Sequence, residues 1–271
     1  MPMLLSAYDA LINGIYYNFS GNEATVTYLE FFSSKNANAY SGAVSIPWTV
    51  TYNDKTYSVT SIGQYAFYRC NGVRSISIPN SVTSIGQYAF CYCSSMSNFN
   101  IPNYVNKIGH HAFSDTPWYE NQPNGLVYAG KVAYQYKGSM DSGTEITIKD
   151  GTVGIAAQAF YECSGLTKVT IPNGVTYIGD EAFAYCTSLT DVYSYIAFPF
   201  DASNDVFIDI NSKATLYVPQ GTTEQYRVAG WTSYFKKVVE MEAPIEEVFT
   251  APTKEGTLMT FKILDMEGKI A

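Results

Sequence analysis

The chain has 271 residues, a net charge of −8 at pH 7 and a pI near 4.8. Nucleic-acid-binding proteins and proteins that dock on anionic lipid both need a basic surface, so the acidic balance argues against both functions. The apolar runs fall short of the roughly 18 residues that a membrane-spanning helix needs, so no direct membrane insertion is expected.

Residues 8–60 are predicted to form a β-rich N-terminal cap. Two strands at 14–19 and 23–29 flank a turn at 20–22, and a hairpin is predicted at 50–52 and 57–59 around Asn53-Asp54-Lys55. This segment lacks the repeat that follows it. A repeat array exposes its core at each end, so it needs an atypical terminal segment there.

A 23-residue period runs through residues 61–240. Four positions of one copy return in the next, because Ile62, Phe67, Cys70 and Pro79 reappear as Ile85, Phe90, Cys93 and Pro102. A fixed period of roughly 20–29 residues is typical of stacked repeats. We therefore predict a β-rich α/β solenoid, in which each coil has one short parallel strand and one short helical turn. The phenylalanines should point into the core, and the proline should end each strand because it has no N–H to donate.

The period is interrupted after Phe113. Residues 114–138 are predicted to insert a β-hairpin with strands at 125–128 and 131–136, and insertions into repeats often lie on the binding face. The period resumes at 146–148, continues through Phe160 and Phe183, and ends in a predicted C-terminal cap at 225–239. Residues 241–271 are predicted to be a linker and a β segment, whose strand at 258–264 has to pair with another strand.

Side chains suited to catalysis or metal binding are few. Five cysteines do not make a disulfide framework, and four of them share one repeat position, so buried thiols are expected. The two histidines, His110 and His111, are adjacent and are expected to be solvated, which leaves little basis for a Ser-His-Asp system. The acidic residues at 201, 205 and 209 predict a solvated loop, with weak calcium binding as the lesser alternative. The sequence thus predicts no enzyme, no cofactor and no metal site.

The repeat unit IGxxAFxxCxxLxxVxIPxxV is clearest in residues 155–175 and 178–192. It resembles the repeat of the BspA-like leucine-rich repeat surface proteins of Bacteroides-type bacteria, and the resemblance covers about residues 62–240. The segments TPWYENQPNGLVY and TLYVPQGTTEQYRVAGW also look like that family. The resemblance implies a right-handed leucine-rich-repeat coil. It further implies a secreted or cell-surface protein that binds host proteins or other cells and has no catalytic residues.

The strand residues that point away from the core form the candidate ligand surface. Side chains alternate along a strand, so the positions flanking the inward Ile76 and Ile78 should face solvent in every coil. Toward the C-terminal end this registry exposes Lys168, Thr170, Asp191, Tyr193, Thr215 and Tyr217. Trp118 and Tyr119 of the insertion are added as aromatic anchors.

Three functions are compatible with this surface. The leading hypothesis is a non-enzymatic adhesion module that recognises a protein, either from the host extracellular matrix or from another cell surface. A glycan-binding accessory protein is the alternative, because aromatic faces suit sugars. A purely structural stalk is the third reading.

Overall fold

A computed structural model describes residues 8–30, 39–201 and 205–242, together with the backbone of 249–252 and 258–261. The chain forms a β-solenoid of about eight turns with little helix, which confirms the predicted solenoid. The strands are β1 (Ala10–Ile12), β2 (Ile15–Ser20), β3 (Glu23–Val26), β4 (Ser41–Ser45), β5 (Thr49–Tyr52), β6 (Lys55–Ile62), β7 (Gly72–Ser77), β8 (Ser84–Ile85), β9 (Lys107–Ile108), β10 (Gly125–Ala129), β11 (Val132–Lys137), β12 (Thr144–Thr147), β13 (Gly154–Ile155), β14 (Leu166–Ile171), β15 (Tyr177–Ile178), β16 (Asp191–Ser194), β17 (Thr215–Val218), β18 (Lys237–Glu240), β19 (Phe249–Pro252) and β20 (Leu258–Phe261). The helices are α1 (Pro117–Glu120), α2 (Thr223–Val228) and a 3₁₀ turn at Trp231–Tyr234.

The N-terminal strands form a mixed sheet in the order β1-β2-β3-β6-β8-β9, with β5 paired to β6. The predicted strand pair at 14–29 is present as β2 and β3, and the predicted hairpin is present as β5 and β6. The pairs β3-β6, β6-β8 and β8-β9 are parallel, as a stack of coils requires, whereas the hairpin strand β5 is antiparallel to β6. Strand β4 also pairs in parallel with β7, so the parallel ladder begins inside the segment predicted as a cap. The boundary at residue 60 stays a prediction.

Successive β-turns occupy the segment that we expected to be helical, so the short helical turn per repeat is not confirmed. In the first full coil the N–H of Phe67 donates to the carbonyl of Ala89 in the next coil at 2.7 Å, while the N–H of Cys70 bonds the carbonyl of Phe67 at 3.0 Å. Tyr65 and Arg69 adopt positive φ angles of 57° and 61°. Alternate N–H groups thus close local turns and join neighbouring coils, which satisfies the backbone without a helix.

A glycine before most of the turn segments allows the coils to approach closely. A Cβ atom at Gly86 would clash with the backbone of Gln64 in the preceding coil. A Cβ atom at Gly109 would clash in the same way with the backbone of Gln87. This spacing explains why the sequence repeats an Ile-Gly pair rather than isoleucine alone. In the Phe160 coil the equivalent residue is Ala156, whose N–H bonds the carbonyl of Ala133 in the inserted strand β11.

Stacked phenylalanine rings run through the interior as predicted. Phe67, Phe90 and Phe113 form one column, with neighbouring ring centroids 5.1 and 5.6 Å apart. A second column has centroid distances of 5.0 and 5.2 Å and consists of Phe160, Phe183 and Phe207. The cysteines are free and buried, which confirms the prediction of buried thiols; they are Cys70, Cys91, Cys93, Cys163 and Cys186.

The strands of the inserted hairpin separate the two columns. One side of β10 and β11 packs into the first core and the other side into the second. The first core receives Val127, Ala129, Val132 and Tyr134, and the second receives Leu126, Tyr128, Ala133 and Tyr136. The inserted strands thus form a wall between two stacks of coils, and a binding role for the insertion stays a prediction.

Tyr134 links the wall to the first column. Its side chain is 1% exposed, and its ring meets that of Phe113 edge-on at 5.2 Å. In a regular coil the phenylalanine N–H donates to a carbonyl of the next coil, but here the Phe113 N–H donates to the Tyr134 hydroxyl at 3.0 Å. The hydroxyl thus replaces the backbone acceptor that the interruption removes.

The C-terminal end is closed by α2, the 3₁₀ turn and β18. Trp231 is fully buried, and its indole N–H donates to the Phe200 carbonyl at 2.8 Å. The C-terminal cap predicted at 225–239 stays a prediction, since β18 continues the parallel sheet beside β17. The strand predicted at 258–264 pairs antiparallel with β19 through its described part, β20, and its last residues lie outside the described ones.

Candidate functional site

The candidate surface is the outer side of a five-stranded sheet in the order β12-β14-β16-β17-β18. All four pairings in this sheet are parallel. The central inward residues Val169, Val192 and Leu216 are fully buried, so their neighbours on each strand point to the other side. The sheet therefore offers two straight rows of outward side chains.

The register aligns these rows across all five strands. The first row consists of Glu145, Lys168, Asp191, Thr215 and Lys237, and the second of Thr147, Thr170, Tyr193, Tyr217 and Val239. We call these ten residues the sheet face. It contains all six of the strand residues predicted from the sequence.

The sequence reasoning missed the two sheet-face residues of β18, Lys237 and Val239. The segment 225–239 was interpreted as a cap, and β18 lacks the proline that ends other strands. The run KKVVE could have predicted them. Val238 continues the series of inward residues, and its neighbours Lys237 and Val239 continue the two outward rows.

The first row alternates in charge. Lys168 Nζ lies 3.3 Å from a carboxylate oxygen of Glu145, and both side chains are substantially exposed. A pair of this kind contributes at most about 1 kcal/mol. The Asp191 carboxylate accepts a hydrogen bond from the Thr190 hydroxyl at 2.7 Å. The two acidic and two basic residues of the row cancel, so the sheet face is neutral on a chain of net charge −8.

Two tyrosines form the most ordered feature of the second row. The rings of Tyr193 and Tyr217 stack with centroids 4.1 Å apart and planes 4° from parallel. Lys168 Nζ lies over the Tyr193 ring, 5.2 Å from its centroid. Partial burial, the hydrogen bond and charge of Asp191, and the neighbouring Tyr193 raise the pKa of Tyr217 to about 12. The Tyr217 ring is held in place by its stacking on Tyr193.

Trp118 and Tyr119 do not join the sheet face. They lie on α1, which Thr116 caps by accepting the Tyr119 N–H at 3.2 Å. The Trp118 ring packs on Phe113 at 5.0 Å, and the Lys137 ammonium lies over the Tyr119 ring and also donates to its carbonyl at 2.9 Å. Both side chains are half-buried against the first core, where they support the inserted hairpin.

The histidines are half-buried, not solvated as predicted. Both pack on the Tyr88 ring at 5.1 Å, and burial lowers the pKa of His110 and His111. Nδ1 of His111 lies 3.0 Å from the Ser114 hydroxyl. The three aspartates of the predicted loop, at 201, 205 and 209, are exposed, and residues 202–204 between them lie outside the described ones.

Over the described ranges, no group of three or more His, Cys, Asp or Glu side chains is placed to hold a metal ion. Among the same residues, no helix is long and apolar enough to cross a bilayer.

Similar folds occur among solved structures of bacterial repeat proteins. A leucine-rich repeat protein from Bacteroides ovatus ATCC 8483 is 22% identical, with a TM-score of 0.40 over 86% of this chain and 77% of that one. The T. pallidum leucine rich repeat protein is 20% identical, with a TM-score of 0.38 over 82% and 94% of the two chains. A leucine rich cell surface protein from Faecalibacterium prausnitzii A2-165 is 19% identical, with a TM-score of 0.35 over 87% and 78%.

The repeat itself identifies the family. A comparison with curated proteins returned no match. The family described as "BspA type Leucine rich repeat region (6 copies)" matches residues 36–141 and 129–224, which together make up more than half of the chain. With its coils, its phenylalanine columns and this match, the chain belongs to the BspA-type leucine-rich repeat family.

Proposed function

We propose that the protein is a non-enzymatic binding module, secreted or held at a bacterial cell surface, that docks a protein partner on its sheet face. Membership of a leucine-rich repeat family supports a binding role, because repeat proteins present extended surfaces made of successive coils. The partner class is a host extracellular-matrix protein or another cell-surface protein, as the resemblance to surface proteins implies.

The stacked pair of Tyr193 and Tyr217 carries this proposal. Tyrosines are over-represented among interface residues that contribute most to binding, because they bring a large contact area with few rotatable bonds. Here stacking, Asp191 and the Lys168 ammonium already fix the two rings. Binding would therefore lose little side-chain entropy at this point of the surface.

The same geometry favours a protein over a sugar at this site. A sugar ring binds by lying flat on an open aromatic face. One face of Tyr193 is covered by Tyr217 and the other by the Lys168 ammonium. The outer side of Tyr217 borders Val239 of β18. The pair thus presents ring edges and hydroxyls, which suit side chains and backbone groups of a protein.

A binding screen with matched variants tests the proposal. The purified chain is passed over immobilised matrix proteins and a glycan array, and hits are repeated with Tyr193→Ser and Tyr217→Ser. Each substitution should weaken protein binding by about 2 kcal/mol, or about 30-fold. Tyr104→Ser is the control, because Tyr104 is 67% exposed and lies outside the sheet face.

The alternatives give different results in the same assay. Saturable binding that survives both sheet-face substitutions would place the interface elsewhere. Binding to sugars alone would favour the glycan-binding alternative, and no binding to either class would favour the structural stalk. Substrate turnover that a single carboxylate substitution abolishes would contradict the non-enzymatic assignment.

A further inference from the structure

An apolar groove lies at the edge of the sheet where β16 ends, and we call it the Phe198 groove. It has a volume of about 450 Å³. Its lining residues come from the segments that follow β14 and β16, and they include Val175, Thr176, Ile196, Phe198 and Phe200. The Phe198 side chain is 90% exposed, the largest exposed fraction among the large apolar residues of the described part. An aromatic side chain left open beside an apolar groove marks a place where another apolar surface binds.

The C-terminal hairpin of the same chain offers such a surface. Strands β19 and β20 pair antiparallel, with Phe249 opposite Phe261 and Ala251 opposite Met259. Residues that lie opposite each other share a face, as do residues two apart on a strand, so these four apolar residues belong to one face. The other face consists of Thr250, Pro252, Leu258 and Thr260. A two-stranded hairpin is at best marginally stable alone in water, so its apolar face needs a surface to pack on.

The end of the solenoid brings this hairpin within reach of the Phe198 groove. Strands β16, β17 and β18 are parallel, so β16 and β18 end at the same edge of the sheet, two strand spacings or roughly 10 Å apart. The Met241 N–H still bonds the Val218 carbonyl at 2.7 Å, which fixes the place where the chain leaves the sheet. From there residues 243–248 lead to β19, and a stretch of this length spans up to about 20 Å when extended.

The short connection favours the chain's own hairpin over a separate partner. A short flexible link holds two surfaces at an effective concentration in the millimolar range, which free proteins rarely reach. The residues that line the groove and the four residues of the apolar hairpin face are all uncharged. Contact between them therefore removes no charged group from water, and the burial of apolar area is not offset by such a cost.

We propose that the C-terminal hairpin docks its apolar face on the Phe198 groove. The groove lies at the ends of the strands and apart from the sheet face, so this proposal does not depend on the proposed function. Docking covers the most exposed aromatic residue of the described part, and it joins the hairpin to the second stack of coils.

A photoreactive residue at position 198 identifies the occupant of the groove directly. In the full chain, Phe198→p-benzoylphenylalanine forms a bond to a neighbouring C–H group on irradiation, and mass spectrometry of the tryptic peptides locates that group. The expected product is a crosslink within one chain to residues 249–261. Tyr104→p-benzoylphenylalanine is the matched control, because Tyr104 is 67% exposed in the turn that follows Pro102 of the first stack. It should give no crosslink to the hairpin.

Tryptic cleavage after Lys262, which directly follows β20, measures how far docking protects the hairpin. Phe198→Ser should speed this cleavage about 10-fold or more, because cleavage follows the population of the undocked form. Met259→Ser should act in the same way. Leu258→Ser removes an apolar residue from the other face and should change the rate by about twofold or less. Thermal melts of the variants confirm that the solenoid is retained.

Three results would overturn the proposal. Crosslinks from position 198 that join two chains would assign the groove to a second copy of the protein. The absence of a crosslink to residues 249–261, or an equal crosslink from position 104, would show that the hairpin does not occupy the groove. Equal cleavage after Lys262 in the natural chain, Phe198→Ser and Met259→Ser would show that the groove does not protect the hairpin.

Discussion

Replacing Tyr134 by phenylalanine should destabilise the protein at the junction of its two cores. The substitution keeps the buried ring and removes only the hydroxyl, which accepts the Phe113 N–H at 3.0 Å. Water has no access to this position, since Tyr134 is 1% exposed and Phe113 fully buried. An unpaired buried N–H costs about 1–3 kcal/mol.

Tyr128→Phe provides the matched control. The Tyr128 hydroxyl also accepts a backbone N–H, from Lys149 at 3.0 Å, but this bond lies at the exposed surface. Water can replace the lost acceptor there, so the cost should be about 0.5 kcal/mol or less. The two variants thus make the same chemical change in the same hairpin and differ in burial.

Urea unfolding and amide hydrogen exchange measure the effect. The free energy of unfolding should fall by about 1–3 kcal/mol in Tyr134→Phe, and exchange of the Phe113 amide should speed up about 5- to 150-fold. Equal losses of unfolding free energy in Tyr134→Phe and Tyr128→Phe would show that the Tyr134 hydroxyl does not replace the carbonyl acceptor that the Phe113 N–H lacks. An unchanged exchange rate at Phe113 would refute the same reasoning directly.

Four other outcomes are expected. Phe90→Ala removes the middle ring of the first column and should cost about 3–5 kcal/mol in a urea titration, whereas a loss below about 1 kcal/mol would contradict its placement. Gly86→Ala should cost about 1–3 kcal/mol in the same assay, because the new methyl group meets backbone that cannot move aside. Tyr217 has a pKa of about 12 against an ordinary value of 10.0. Its contribution to stability is therefore intact below pH 10 and lost as the pH rises toward 12. In an ultraviolet titration Asp191→Asn should lower that pKa, and an unchanged curve would exclude Asp191 as a cause. The five buried thiols should resist a thiol reagent such as Ellman's until urea unfolds the chain, and rapid labelling in buffer would show that they are accessible.

The periodic part of the fold was predictable because each position of the repeat has the same structural role in successive coils. A 23-residue offset between Phe67 and Phe90 means that the two rings lie in register in adjacent coils, and the structure stacks them at 5.1 Å. The outward rows followed from the same registry. The sequence did not predict that Phe207 belongs to the second column, although its ring stacks on Phe183. Its coil lacks the Ile-Gly pair, and Phe207 lies 24 residues after Phe183, one more than the repeat length.

The turn segments were misjudged for a different reason. The spacing of Phe67 and Cys70 fits one helical turn. Residue propensities do not predict the observed turns either, because tyrosine and arginine rarely adopt the positive φ angles found at Tyr65 and Arg69. Each left-handed residue is tolerated because the stack provides carbonyl acceptors for alternate N–H groups. That compensation is a property of the neighbouring coil, and no local pattern reveals it.

The polarity pattern of the inserted hairpin indicates whether it lies on the surface or inside the core. Strands with one solvated face alternate between apolar and polar residues, whereas strands buried on both faces are continuously apolar. The inserted strands contain the runs Leu-Val-Tyr-Ala and Val-Ala-Tyr, which have no polar residue to face water. They therefore predict burial on both sides, and the only place in a solenoid with core on both sides is between two coils. An insertion with alternating polarity belongs on the surface and is a place to look for a ligand. An insertion without it divides the core, and the ligand has to be sought on the regular strands and turns instead.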